Sequence, residues 1–246
     1  MTIKKKPTII DLFSGAGGLS YGLEEAGFDV LLGTDFWKDS LDTFAFNHKN
    51  SKVLEGDITK IKSAQLSKLA GKKASLIIGG PPCQGFSLSG PRNFYDKRNE
   101  LYIEFLRIVR DLNPKGFIIE NVPGLASLFG GEVKERIISE FSKLGYSVNA
   151  KILNASDYGV PQNRRRIVFV GVKGNKKFEF PEPSFFDFDL KKPAPKSGKK
   201  KITVWEAIGD LPLLENELGS EEMPYLSQPL SVYQKSLFVP FLLIPD

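Results

Sequence analysis

Short apolar runs alternate with stretches of helical periodicity along most of this chain. Pro7–Phe13, Asp29–Thr34, Lys52–Leu54, Leu76–Gly79 and Gly116–Glu120 read as strands, each too short and too uniformly apolar for a surface helix. Between them, Leu19–Ala26, Asp39–Asn47, Glu100–Leu112 and Glu132–Leu144 read as helices, and Leu101, Phe105, Ile108 and Leu112 mark one helical face. Strands alternating with helices predict an α/β fold, a doubly wound and mostly parallel sheet with helices on both faces. Tyr146–Leu153 and Arg166–Val172 have no helix between them and predict an antiparallel edge pair. Residues 1–172 thus form one body. Residues 173–201 mix Lys, Pro, Phe and Gly without a period and read as a loop or linker. Residues 202–246 begin a further region, with a short helix at Val204–Ile208 and an apolar tail from Leu237.

Composition narrows the class. A chain of 246 residues, 41% hydrophobic and 26% charged, can bury a full core and is ordinary for a globular protein. No apolar run reaches the length of a membrane span, and Met1–Lys6 is not followed by a signal-peptide core. One cysteine and one histidine exclude an intramolecular disulfide and a Cys/His zinc cluster, so a reduced, cytoplasmic, metal-free protein is expected. The histidine, His48, falls where a helix ends. Charge is uneven: residues 207–246 hold one basic and six acidic residues, leaving 33 basic against 23 acidic in residues 1–206. A positive body suits a polyanion, although lysine runs such as Lys199–Lys201 are equally well read as solvated loops.

The lone cysteine, Cys83, sits in Gly80-Pro81-Pro82-Cys83-Gln84-Gly85-Phe86-Ser87-Leu88, directly after the strand Leu76–Gly79. Proline fixes φ and removes amide donors, so this thiol is carried on a stiff loop. Ligands of open α/β sheets bind beyond the carboxyl ends of the strands, where this loop begins. A second loop, Ser14-Gly15-Ala16-Gly17-Gly18, follows the first strand. It departs from the dinucleotide fingerprint because the third glycine would fall at Ser20, and a glycine turn packing a helix on a sheet is an equal alternative. Asp35 ends the second strand about 20 residues later, where a carboxylate can reach ribose hydroxyls or cap a helix.

These segments occur in a fixed order: Asp11–Leu19, Pro82-Cys83-Gln84, Glu120-Asn121-Val122 and Gln162-Asn163-Arg164-Arg165-Arg166. Together they resemble the DNA cytosine-5 methyltransferases of bacterial restriction-modification systems, densely over residues 7–172. The resemblance implies a Rossmann-like, S-adenosylmethionine-binding catalytic domain at 1–172. It implies that Cys83 adds to C6 of a flipped cytosine in duplex DNA, that Glu120 supplies a hydrogen bond or proton at N3, and that Arg166 contacts O2. Arg164 would support the active-site loop, with Gln84, Ser87, Asn121 and Gln162 holding loop or DNA backbone. For the cofactor it implies Phe13, Gly15, Gly17, Gly18, Asp35, Phe36, Asp57, Ile58 and Leu101. The run of basic residues at 164–166 could instead bind phosphates only.

The sequence also departs from the family. A target-recognition domain and a late Gly-Asn-Ser-Val segment are expected after the arginine motif, and this sequence has no such segment. The expectation is a chain that is inactive alone, with a second polypeptide carrying the recognition domain or a truncated gene. Competing expectations are a non-catalytic DNA- or partner-binding protein and a tRNA-directed relative, the latter weakened by the absence of a second cysteine.

Overall fold

The computed structural model describes residues 6–82, 100–187, 198–212, 224–225 and 227–237. The chain separates into a larger unit, residues 1–152 with 166–180, and a smaller one, residues 153–165 with 181–246. Seven strands form the main sheet: β1 (Thr8–Leu12), β2 (Asp29–Asp35), β3 (Lys52–Glu55), β4 (Leu76–Gly79), β5 (Gly116–Asn121), β6 (Tyr146–Asn154) and β7 (Arg165–Lys173). Their order is β3-β2-β1-β4-β5-β7-β6. β1 to β5 pair in parallel, and β7 runs antiparallel to β5. This is the mostly parallel sheet with antiparallel edge strands that the alternating pattern predicts.

Alternation along the strands separates two cores. On β1, Ile10 and Leu12 face one side and Ile9 and Asp11 the other, as the two-residue strand period requires. Ile10 and Leu12 join Leu32, Ile77, Phe117, Ile119 and Phe169 in one cluster. It includes Leu66 of α3 (Ser63–Ala70), Phe105 of α4 (Glu100–Leu112) and Phe141 of α5 (Glu132–Lys143). At its centre Phe117 stacks on Phe141 with ring centroids 3.9 Å apart, and a side chain at Gly171 would strike the Phe117 ring. Tyr146 packs edge-on against Phe117 and donates its hydroxyl to the Pro114 carbonyl at 2.9 Å; burial pushes that phenol up to about 12. The opposite face carries a smaller cluster, Ile9, Val30, Phe44 and Ile78. Leu19 and Leu23 of α1 (Gly18–Glu25) pack on it, and Phe44 comes from α2 (Lys38–Asn47).

The register sets the heights of the strand ends. Leu12 pairs with Gly79 and Gly79 with Ile119, so β1 and β4 end level while β5 runs two residues further, to Glu120 and Asn121. A Cβ on Gly79 would lie 2.1 Å from the Leu12 carbonyl oxygen, which restricts this position to glycine. The strand order reverses between β1 and β4, and the loops after these two strands leave the sheet side by side.

Within the smaller unit, a 3-10 turn at Ala155–Tyr158 precedes Gly159, whose φ of +94° and contact with the Phe185 ring admit no side chain. In the stretch read as linker, β8 (Phe185–Phe186) pairs with β9 (Lys199–Lys200), and Lys201 bridges Asp157 and Asp187 at 2.9 Å each. α6 (Val204–Ile208) begins with a capping box between Thr203 and Glu206, and α7 (Val232–Leu237) is the last helix described.

Candidate active site

The glycine loop is built by its neighbours. Phe13 leaves β1 with φ +58°, a conformation costly for an aromatic residue, and Gly15 and Gly17 follow at +52° and +89°. Ser14 donates its amide to the Thr34 carbonyl, and Gly15 donates its amide to Asp35 Oδ2 at 2.8 Å. The other Asp35 oxygen accepts the Trp37 amide at 3.0 Å. Asp35 therefore ties the loop to the end of β2 while keeping further lone pairs on both oxygens. Gly56 donates to the Asp35 carbonyl, which brings the Gly56–Ile58 turn beside the same point. There the Asp57 carboxylate accepts the Thr59 hydroxyl and amide, and those bonds hold it below the usual carboxylate range.

Two buried groups of the Asp11–Leu19 segment, to which the sequence assigned no role, belong to the base of this loop. Asp11 is 1% exposed and accepts the Ser20 hydroxyl at 2.6 Å. Burial, opposed by the Ser20 bond and aided by the negative charge of Asp35, pushes its carboxyl up to about 7. Ser14 Oγ is buried with no hydrogen-bond partner among the described residues. A loop with open space over Gly15 and Gly18, an unpartnered hydroxyl and a carboxylate at the second strand end fits a ligand with ribose and amino-acid ends. Phe36 is exposed, Ile58 buried, and Leu101 half-buried against the larger core.

Register also builds the second half. Glu120 pairs with Val168 across β5 and β7, so Arg166, two residues along β7, lies diagonally on the same face. Its Nε meets Glu120 Oε1 at 2.9 Å, with both side chains about a third exposed. Gly80 lies against Glu120, an ideal Cβ there being 3.5 Å from Glu120 Oε2. Asn121 donates Nδ2 to the Pro81 carbonyl at 2.8 Å and accepts the Val122 amide, fixing the start of the proline loop. Gly80, Pro81, Pro82, Glu120, Asn121, Val122 and Arg166 line an open pocket of 340 Å³, a size that suits a small planar group. A larger cavity of 850 Å³ lies at the opposite ends of the central strands, against Thr8, Leu76, Gly116 and Val172, and its mostly apolar walls hold none of this chemistry.

Glu120, Asn121 and Arg166 thus converge, as do Phe13, Gly15, Gly17, Asp35 and the Asp57 turn. Gln162 and Arg164 belong to the smaller unit, where the Arg164 amide donates to the Gln162 carbonyl. Cys83, Gln84 and Ser87 lie outside the described residues. Among the described residues no helix is long and apolar enough to cross a membrane, and no His/Cys/Asp/Glu cluster could hold a metal.

The chain is 41% identical over 232 residues to the Type II methyltransferase M1.HphI of Haemophilus parahaemolyticus, covering 91% of this chain and 59% of that one. It is 40% identical to M.DdeI of Desulfomicrobium norvegicum, covering 54% of it, so the chain spans little more than half the length of these relatives. M.AquIA of Picosynechococcus is shorter: a match at 38% identity spans 88% of it. Among solved structures, a prophage-encoded E. coli protein described as a DNA modification methyltransferase superposes with a TM-score of 0.67 at 32% identity, over 85% of this chain and 56% of that one. The S. pombe Dnmt2 methyltransferase superposes at 0.57 and 21% identity, over 71% and 52%, a likeness of fold. The family model of the C-5 cytosine-specific DNA methylases matches residues 7–228, and the chain belongs to that family, with the fold of S-adenosylmethionine-dependent methyltransferases.

Proposed function

We propose that this chain carries the cofactor and catalytic parts of a methyltransferase acting on C5 of cytosine in duplex DNA, in a restriction-modification setting. The observation that supports this most is the Glu120–Arg166 pair facing the proline loop that leads into Cys83, in a member of this family. S-adenosylmethionine, held at Phe13, the glycine loop, Asp35 and the Asp57 turn, supplies the electrophilic methyl group.

C5 of cytosine is a weak nucleophile. In the proposed mechanism the Cys83 thiolate adds to C6 while Glu120 donates a hydrogen bond or proton at N3, and the electron pair moves onto C5. C5 then takes the methyl group and the sulfonium leaves as a neutral thioether. Loss of the C5 proton to a base expels Cys83 and restores the double bond. Arg166 orients Glu120 and reaches O2, and Asn121 holds the loop that presents the thiol. The target base must leave the duplex to reach such a pocket, at a cost of a few kcal/mol. Recognition of a particular sequence requires groove contacts beyond these residues, which we assign to a target-recognition domain on a second polypeptide or a further segment.

Duplex containing 5-fluorocytosine tests the assignment, since fluorine cannot leave C5 as the proton does. With S-adenosylmethionine and any partner required, the wild-type chain should form a denaturant-stable DNA adduct mapping to Cys83. Equal trapping by Cys83→Ala would remove the thiol from the mechanism. Methyl transfer to tRNA and not to duplex DNA would move the substrate to RNA.

A further inference from the structure

His48 is the sole histidine of the chain, lies at the carboxyl end of α2, and its side chain is fully buried. Its ring rests on Phe44 with centroids 4.4 Å apart. Nδ1 is 2.7 Å from Glu24 Oε2 on α1, and Nε2 is 3.2 Å from the Gly17 carbonyl oxygen at the junction of the glycine loop and α1. A carboxylate and a carbonyl can only accept, whereas a neutral imidazole carries one N–H. Either neutral tautomer therefore leaves a ring lone pair facing an oxygen lone pair in a buried place, which is unfavourable. The imidazolium satisfies both contacts, and the Glu24 carboxylate balances its charge.

Gly17 is the residue that turns the loop into the helix, at φ +89°, and its carbonyl also accepts the Tyr21 amide that starts α1. There is no slack at this contact, since a Cβ on Gly17 would lie 2.4 Å from His48 Nε2. We propose that His48, protonated on both ring nitrogens, is a positioning residue that braces the glycine loop in its cofactor-binding shape, so that losing one proton loosens cofactor binding. This rests on the reading that the loop holds S-adenosylmethionine. The titrating groups facing the ring are Glu24 and Tyr21, both from α1; α2 contributes Phe44 and the loop the Gly17 carbonyl. Asp11 and Asp35 act on the same loop through Ser20 and Gly15, so their titration must be separated from that of His48.

A single histidine makes the separation direct, because every imidazole nitrogen signal in the NMR spectrum of the full chain belongs to residue 48. Calorimetry with S-adenosylhomocysteine across pH gives the affinity. The expected result is that affinity falls over the same pH interval in which the ring loses a proton. His48→Gln, which can still donate to the Gly17 carbonyl but does not titrate, should hold affinity within about 3-fold and lose that pH step; His48→Asn, too short to reach Gly17, should weaken binding about 10-fold. Should the chain not bind S-adenosylhomocysteine at all, the cofactor reading fails. The brace is then still tested by amide exchange, which His48→Asn should speed at Gly15 and Gly17 and His48→Gln should not. Overturning results are a neutral ring throughout the range of tight binding, or a thermally stable His48→Asn chain with unchanged affinity and unchanged exchange.

Discussion

The two halves of the site are made differently. Around the glycine loop, side chains bond to the protein's own backbone: Asp35 to two amides, Asp57 to Thr59, and His48 to the Gly17 carbonyl. Around the proline loop, Glu120 and Arg166 pair with each other at the rim of an open pocket, and Asn121 is tied to the Pro81 carbonyl. A fixed frame suits a ligand whose shape does not vary from one turnover to the next. An ion pair at the rim of a pocket can be exchanged for contacts to a group that arrives from outside. On the proposed reading, preorganisation sits in the half that holds the cofactor, and replaceable partners sit in the half that meets the base.

The sharpest way to break this comparison is Glu120→Gln. Methyl transfer should fall by roughly 10²–10⁴-fold, the usual worth of a positioned acid, while calorimetry shows S-adenosylhomocysteine affinity within about 2-fold of wild type. A matching loss in cofactor affinity would merge the two halves into one.

The next effect concerns stability beneath the cofactor loop. Asp11 titrates near 7 in the folded chain and near 3.8 when unfolded, so its favourable contribution is complete below the lower value and is lost as pH rises to the upper one. Asp11→Asn should remove that slope, and relative to wild type it should gain on the order of 4 kcal/mol between pH 4 and pH 8 in urea unfolding. A pH-independent difference would mean that the buried carboxyl does not titrate in this window.

Asp35→Ala removes the tie to Gly15 and the proposed ribose partner together, and S-adenosylhomocysteine affinity should drop about 10-fold or more by calorimetry. Unchanged affinity would confine Asp35 to local structure. The smallest effect belongs to Thr59→Val. Without the hydroxyl, the Asp57 carboxyl rises toward its ordinary value, and cofactor affinity should weaken about 2- to 3-fold at pH 7, with a steeper decline at acid pH than in wild type.

β1, β2 and β4 were legible because they are apolar runs buried on both faces, β1 along its whole length. α3 was missed: only Ser63, Leu66 and Ala70 of its residues are buried, too few to show a period. α7 buries only Gln234 and gave no signal. The order of motifs pointed to Glu120 and Arg166 separately, but their meeting depends on the β5–β7 register, which no composition encodes. Asp11 reads along the chain as one polar residue in a strand, and becomes notable only when Ser20 folds over it. His48 was placed correctly at a helix end, while its contact with Gly17 comes from a loop 31 residues away.

Those separations carry a consequence for how the site assembles. The ties around the glycine loop join residues 20 and 31 positions apart and are complete once β3 and its turn have emerged. The base pocket waits for residue 166, because Arg166 reaches Glu120 only after β7 has run back along β5. Loop closure of that span slows docking, and synthesis proceeds from the amino terminus at about 5–20 residues per second. A nascent chain would therefore have its glycine loop seconds before the Glu120–Arg166 pair, so that, on the proposed reading, S-adenosylmethionine binds and stabilises a partly made chain before the base site exists.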